Sequence, residues 1–180
     1  MKKEIIEEIQ IPEGVEVTLD GNALILKGKE GETKRTFKMK NISFKKEGNK
    51  IIIGCKKATK NEKKMIYTNI SHIKNMFEGV QKKFEYQLKT VFSHFPITVT
   101  VVGNKALIKN FLGEKEPRES EIPQGAEVKV NKEMITIKAI DKEVAGQAAA
   151  NLERATKIRN RDRRVFQDGI YIISKAGEEM

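Results

Sequence analysis

The chain has 180 residues, 38 % of them apolar, enough for one large domain or two small ones with modest cores. Its formal net charge of +10 and pI near 9.6 point to a polyanionic partner, and a single cysteine excludes an internal disulfide. No apolar run approaches the roughly 18 residues that cross a bilayer. The N-terminus lacks the apolar core of a signal peptide, so a cytoplasmic chain that does not enter membranes is expected.

In chain order, residues 1–10 are charged and lack turn chemistry, which suggests a loose arm or a short edge element. After Ile11-Pro12-Glu13-Gly14 the pattern alternates. Val15, Val17 and Leu19 face one way, Asp20-Gly21 supplies a tight hairpin, and residues 23–27 return as the partner strand. Residues 28–34 read as a loop. The alternation then resumes with Phe37 and Met39 inward and Lys38 and Lys40 outward, followed by Ile42 and Phe44. A turn at Glu47-Gly48-Asn49 leads to a strand with Ile51, Ile53 and Cys55 on one face, which makes Cys55 a small core residue.

Thr59-Lys60-Asn61-Glu62 is a capping box, and Ile66, Ile70, Ile73 and Phe77 behind it have helical spacing, flanked by Met65 and Met76. Gly79 is placed to end that helix. From Lys82 a new alternating segment carries Phe84, Tyr86 and Leu88, and Pro96 opens a second hairpin turning at Gly103-Asn104. Residues 113–121 read as a charged loop. Ala126, Val128 and Val130 form a strand, a turn at Asn131-Lys132 follows, and residues 134–139 return. Asp141 caps a second helix whose buried stripe is Val144, Ala148, Leu152 and Ala155, with Ala145 and Ala149 alongside. Gln167-Asp168-Gly169 turns the chain into a short strand at 170–173, and residues 176–180 are expected to fray.

The order of hairpin, strands and capped helix occurs twice. A shift of 82 lays Gly21-Asn22 over Gly103-Asn104, Asn49-Lys50 over Asn131-Lys132 and Ile53 over Ile135. A rival shift of 111 pairs Ile11-Pro12-Glu13-Gly14 with Ile122-Pro123-Gln124-Gly125, but it puts the first helix out of step and reflects local turn chemistry. The pattern predicts an α+β fold of two similar tandem units, each an antiparallel sheet packed against one helix. The first occupies residues 1–80 and the second 81–175.

Five of the seven arginines fall within eleven residues: Arg154, Arg159, Arg161, Arg163 and Arg164, joined by Lys157. Lysine is spread along the chain, so the clustering is specific to the guanidinium, a planar fork that grips phosphate in bidentate fashion. With Phe166 and Tyr171 close behind, the segment reads as a nucleic-acid contact surface, against the bland alternative of a solvated charge run. Both rings could stack on a base or close the small core behind the arginines, and for Phe166 the core is the better reading. Asp168-Gly169 reads as the turn that aims the segment.

Other chemistries find no support. Residues 27–32 (KGKEGE) only superficially resemble a phosphate-binding loop, and one cysteine with two separated histidines makes no zinc site. His72 reads as a satisfied, partly buried helix residue, and His94 lies in a turn. No cofactor, small-molecule substrate or catalytic group is expected, and neither helix has the bulky anchors of a membrane-surface helix.

Three stretches carry a family likeness that covers essentially the whole chain. They are Ile11-Pro12-Glu13-Gly14-Val15 with Lys27-Gly28; Ile122-Pro123-Gln124-Gly125 with the 141–149 run DKEVAGQAA; and Arg164-Val165-Phe166-Gln167-Asp168-Gly169-Ile170-Tyr171 with Lys175 after it. Together they resemble ribosomal protein six of the large subunit, in its archaeal and eukaryotic form. The resemblance implies two duplicated α+β units and no enzymatic activity. It also implies binding to large-subunit ribosomal RNA mainly through the second unit, close to the sarcin–ricin loop and the stalk base, among neighbouring ribosomal proteins. Residues 154, 157, 159, 161, 163 and 164 would then neutralise phosphates, with Tyr171 and Lys175 as further RNA contacts. A free-standing RNA-binding regulator or RNA chaperone is the alternative reading.

Overall fold

The computed structural model describes residues 3–37 and 42–180, so the expectations for Lys38, Met39 and Lys40 fall outside the described residues. The chain divides into two compact units, Met1–Lys83 and Phe84–Met180.

In the first unit, strand β1 (Lys3–Gln10) lies antiparallel to β6 (Lys50–Ala58), which pairs on its other side with β5 (Ser43–Glu47). The charged start of the chain is therefore an eight-residue edge strand. A second sheet holds β2 (Glu16–Asp20), β3 (Ala23–Gly28) and β4 (Gly31–Thr36) in that order. Gly21 turns the β2–β3 hairpin at φ 58°, a left-handed conformation that glycine adopts without penalty. Leu24 and Leu26 of β3 and Ile51 and Ile53 of β6 are fully buried, with Cys55 beside them.

Helix α1 (Lys60–Gln81) starts at the expected capping box: Thr59 Oγ1 accepts from Asn61 N at 3.3 Å, and Thr59 N donates to the Glu62 carboxylate at 2.9 Å. Ile66, Ile70, Ile73 and Phe77 are buried as the spacing predicted. The helix does not stop at Gly79, however. Val80 is fully buried and its carbonyl accepts from Glu30 N at 3.0 Å, so the last turn is held against the end of β3. Gly28 makes that approach possible: a Cβ there would lie 2.6 Å from the Val80 carbonyl oxygen. His72 is half-buried and bonded to Arg35.

The second unit repeats the scheme. Strands β8 (Thr98–Val102), β9 (Lys105–Lys109) and β10 (Arg118–Glu121) form one sheet. Strands β11 (Glu127–Asn131), β12 (Met134–Ala139) and β7 (Phe84–Val91) belong to the other, followed by β13 (Gly169–Lys175) and β14 (Glu178–Glu179). Helix α2 (Lys142–Ala155) begins at Asp141, whose carboxylate accepts from Glu143 N at 2.9 Å. Its inner face is Ala145, Ala148, Ala149 and Leu152, all essentially without exposure, while Val144 and Ala155 sit at the margins.

Three stretches depart from the sequence reading. Residues 28–34 and 113–121 read as loops in the sequence, but 31–36 and 118–121 are edge strands, paired with β3 and β9. Both are made of charged, small and polar residues without an apolar side chain, so they show no apolar period. Residues 176–180 do not fray. Ala176 (φ 53°) and Gly177 (φ 90°) turn the chain back, β14 pairs with Ser174 and Lys175, and Met180 N donates to Ile173 O at 2.9 Å.

Candidate nucleic-acid interface

Helix α2 ends where its apolar stripe ends, and its last turn is fastened on two sides. Thr156 is buried; its hydroxyl donates to Glu153 O at 3.2 Å and accepts from Ile170 N at 2.9 Å, joining the helix end to the start of β13. From the other side, Arg118 Nη1 donates to Ala155 O at 2.9 Å, satisfying a carbonyl that has no partner within the helix. The rest of that guanidinium grips Glu114 through Nε and Nη2 at 2.7 and 2.6 Å, and its central carbon lies 4.3 Å from the Phe111 ring centre. The bonds from Arg118 hold the Glu114 carboxyl below its ordinary range, and the charge of Arg161 adds a smaller pull in the same direction.

The arginine segment beyond is irregular but held at three points. Ile158 is buried. Phe166 packs against the core of the unit, with the Arg161 guanidinium 4.8 Å from its ring centre. Asp168 is buried and accepts from both the backbone N and the hydroxyl of Ser93 at 3.1 Å. Between the first two anchors Asp162 makes the turn: its carboxylate accepts from Arg164 N at 2.9 Å, and its carbonyl from Val165 N and Phe166 N.

This frame leaves Arg154, Lys157, Arg159, Arg161, Arg163 and Arg164 exposed. Arg164 pairs with Asp162 at 3.0 Å while its side chain stays 90 % exposed, and that pairing lowers the Asp162 carboxyl from its ordinary value. Arg161 is committed to the Phe166 ring. Arg154, Lys157, Arg159 and Arg163 have no carboxylate partner among the described residues.

Two clefts open on either side of the helix end. One, of about 420 Å³, has Arg154, Lys157 and Arg163 at its rim and Ile158, Phe166 and Ile170 as apolar lining. The other, of about 430 Å³, lies toward β10 and is lined by Arg118, Asn151, Arg154, Lys157 and Arg159. Arg154 and Lys157 therefore face both.

Tyr171 also lines the first cleft, whereas Lys175 stands apart from this cluster. Tyr171 is 42 % exposed, but its ring lies 3.3 Å from where a Cβ on Gly169 would be, and its hydroxyl donates to Gln167 O at 3.0 Å. Lys175 is at the far end of β13, beyond a register shift, and lines neither cleft. Its register partner is Tyr86 on the helix-facing side of β7, whereas that of Tyr171 is Lys89 on the opposite side, so the two leave opposite faces of the sheet. Arg118, Glu153 and Thr156, which the sequence did not single out, belong to the site: the first and last hold the helix end, and Glu153 lines the first cleft. Arg118 sat inside an apparent charged loop, with no local pattern to separate it from its neighbours.

Among the described residues no group of three or more His, Cys, Asp or Glu could hold a metal ion, and no helix is long and apolar enough to cross a membrane. The model of the family described as ribosomal protein L6 matches residues 11–83 and again 95–169, one match per repeat. The large ribosomal subunit protein uL6 of Methanobrevibacter smithii is 48 % identical over 95 % of this chain and 96 % of its own length. The proteins of the same name from Methanococcus vannielii and Methanocella arvoryzae are 44 % and 46 % identical, covering 97 % and 98 % of this chain and 96 % and 100 % of their own. The chain belongs to the ribosomal protein L6 family, duplicated structural proteins of the large ribosomal subunit that are not enzymes.

Proposed function

We propose that this chain is a structural clamp on large-subunit ribosomal RNA, gripping it through the second unit. The observation that carries the reading is that four cations, Arg154, Lys157, Arg159 and Arg163, stand exposed around two clefts at one helix end, without carboxylate partners among the described residues. Such groups neutralise phosphates and release counterions, which fixes position without reading sequence. Arg161 and Arg164 extend the same surface, Tyr171 lines the first cleft, and Lys175 is a contact outside the clefts. The likeness of the 164–171 tail to the archaeal and eukaryotic members supports a place close to the sarcin–ricin loop and the stalk base, beside neighbouring ribosomal proteins in the cytoplasmic ribosome. The rigid helix end, tied by Thr156 and Arg118, explains how an irregular segment keeps its cations in register.

Binding of the full chain to large-subunit RNA, measured against salt, tests this. The four cleft-lining cations alone give a slope of log K against log salt of about −3 to −4. The triple variant K157A/R159A/R163A removes side chains that have no carboxylate partner among the described residues. It should keep its melting temperature while the slope becomes shallower by about 2 to 3. Unchanged affinity and slope would refute the assignment.

A further inference from the structure

We propose that the cleft between the end of α2 and the arginine segment receives one unpaired guanine base, recognised by Glu153. The inference rests on the RNA-binding reading above and specifies what that surface selects. The cleft, about 420 Å³, lies within the roughly 300–1,000 Å³ typical of small-ligand sites. Its cationic rim suits phosphate, but its lining of Ile158, Phe166 and Ile170 offers a phosphate nothing. An apolar lining below a cationic rim matches a nucleotide, with the base inside and the backbone at the mouth. The Phe166 ring is already fixed by the core behind it and by Arg161, so this wall is in place before a ligand arrives.

Glu153 sets the identity of the base. It is the one carboxylate lining the cleft; it is half-buried and has no ion pair or side-chain hydrogen bond among the described residues. An ionised carboxylate only accepts hydrogen bonds, and in a site for a polyanion it repels the ligand unless donors meet it. The other oxygens at hand are committed: the Thr156 hydroxyl bonds Glu153 O and Ile170 N, and the Tyr171 hydroxyl donates to Gln167 O. Among the four bases only guanine presents two adjacent donors, N1–H and the N2 amino group, on one edge. That pair matches the two oxygens of a carboxylate. Adenine and cytosine offer an amino group beside an acceptor nitrogen, and uracil one N–H flanked by carbonyls. The same guanine edge is consumed in a Watson–Crick pair, so the base taken up is an unpaired one from a loop, bulge or junction.

Anisotropy titrations of the full chain with the labelled heptanucleotides UUUGUUU, UUUAUUU and UUUCUUU, at low and moderate salt, test the proposal. The wild type should bind the guanine-containing RNA about tenfold more tightly than the other two, the discrimination of a good bidentate contact. Glu153→Gln replaces one acceptor oxygen with a donor. It should bring the three affinities within about twofold of one another while leaving the salt slope and melting temperature unchanged. Salt-dependent binding with no preference for guanine, or a preference that survives in E153Q, overturns the guanine cleft and leaves the phosphate clamp standing. No binding of any heptamer at low salt brings down both.

Discussion

The two units share one plan to the residue at the helix start, Thr59 and Asp141 lying 82 apart, and then they diverge. Helix α1 runs for 22 residues and α2 for 14. The last two turns of α1 bury Met76, Phe77 and Val80 and include the buried Gly79; the residues 82 further on are Ile158, Arg159, Asp162 and Arg161 respectively. One apolar anchor survives, Ile158, and the others have become charges. A helix continued there would have had to bury guanidiniums, so the second unit unwinds at Thr156 and turns those side chains outward. The edge of the sheet differs in the same sense. Among the described residues β1 has no strand on its outer side, while its counterpart β7 is paired with β13, the strand to which the arginine segment returns. An interface was therefore made from a helix end by removing its apolar stripe and fixing the freed chain to a sheet edge.

If that account holds, equivalent core positions in the two repeats should still weigh alike. Leu152, fully buried, and Ile70, with 8 % exposure, occupy the same place by the 82-residue shift. Leu152→Ala should cost about 3–4 kcal/mol in denaturant unfolding and Ile70→Ala nearer ~2 kcal/mol, because Leu152 leaves the larger void. A cost below about 1 kcal/mol at Leu152 would mean that α2 is not seated by its own face, and the comparison would fail.

Arg118 tests what replaces the missing turns. In the first unit the helix end is held by backbone and by Gly28; in the second it is held by this guanidinium on Ala155 O and by Thr156. Arg118→Met keeps a long apolar stem against Phe111 but removes the bonds to Ala155 and Glu114, and should cost about 1–2 kcal/mol at neutral pH. The effect should fade with acid. The folded-state carboxyl of Glu114 titrates below its unfolded value, so its share of the stability is complete above the unfolded pKa and is lost as pH falls through the lower, folded one. Parallel melts of wild type and R118M from pH 7 to pH 3 should therefore draw closer without meeting, since the bond to Ala155 O does not titrate. Both side chains are partly exposed, so the pH-dependent share is the smaller one. A gap that stays constant with pH would place the whole effect on Ala155.

What was legible in the sequence follows from the same physics. Alternation over Val15–Leu19, Phe84–Leu88 and 134–139, the two caps and the 82-residue repeat all reflect chemistry that acts within a few residues, and each located its element. Strands β4 and β10 were hidden because GETKRT and RESE are edges with at least one wet side; only the neighbouring strand shows that they pair. The end of α1 was misplaced because Gly79 is a stop signal locally, whereas Val80 has a burial partner some fifty residues earlier in the chain. The cations of the interface were visible as a cluster. Their supports, Arg118, Thr156 and Asp168 with Ser93, depend on residues 14 to 75 positions away, and no window along the chain brings those together.

The smallest expected effect falls on the one acid inside the arginine run. Asp162 does two separable things: it makes the turn by accepting from Arg164 N, and it pairs with the Arg164 guanidinium at 3.0 Å. Asp162→Asn keeps an oxygen for the first and gives up the charge for the second. The pair is solvent-exposed, so its loss should leave the melting temperature within measurement error, unlike either change above. The released guanidinium, 90 % exposed, becomes a further phosphate ligand, and the salt slope for RNA should steepen by up to about 1. A slope left unchanged by D162N would show that Arg164 stands beside the RNA without touching it, and would narrow the interface to the cations that line the two clefts. A shallower slope would show that the ion pair itself orients Arg164 for its phosphate. Asp162 would then belong with Thr156 and Arg118 among the groups by which the second unit rebuilt its helix end.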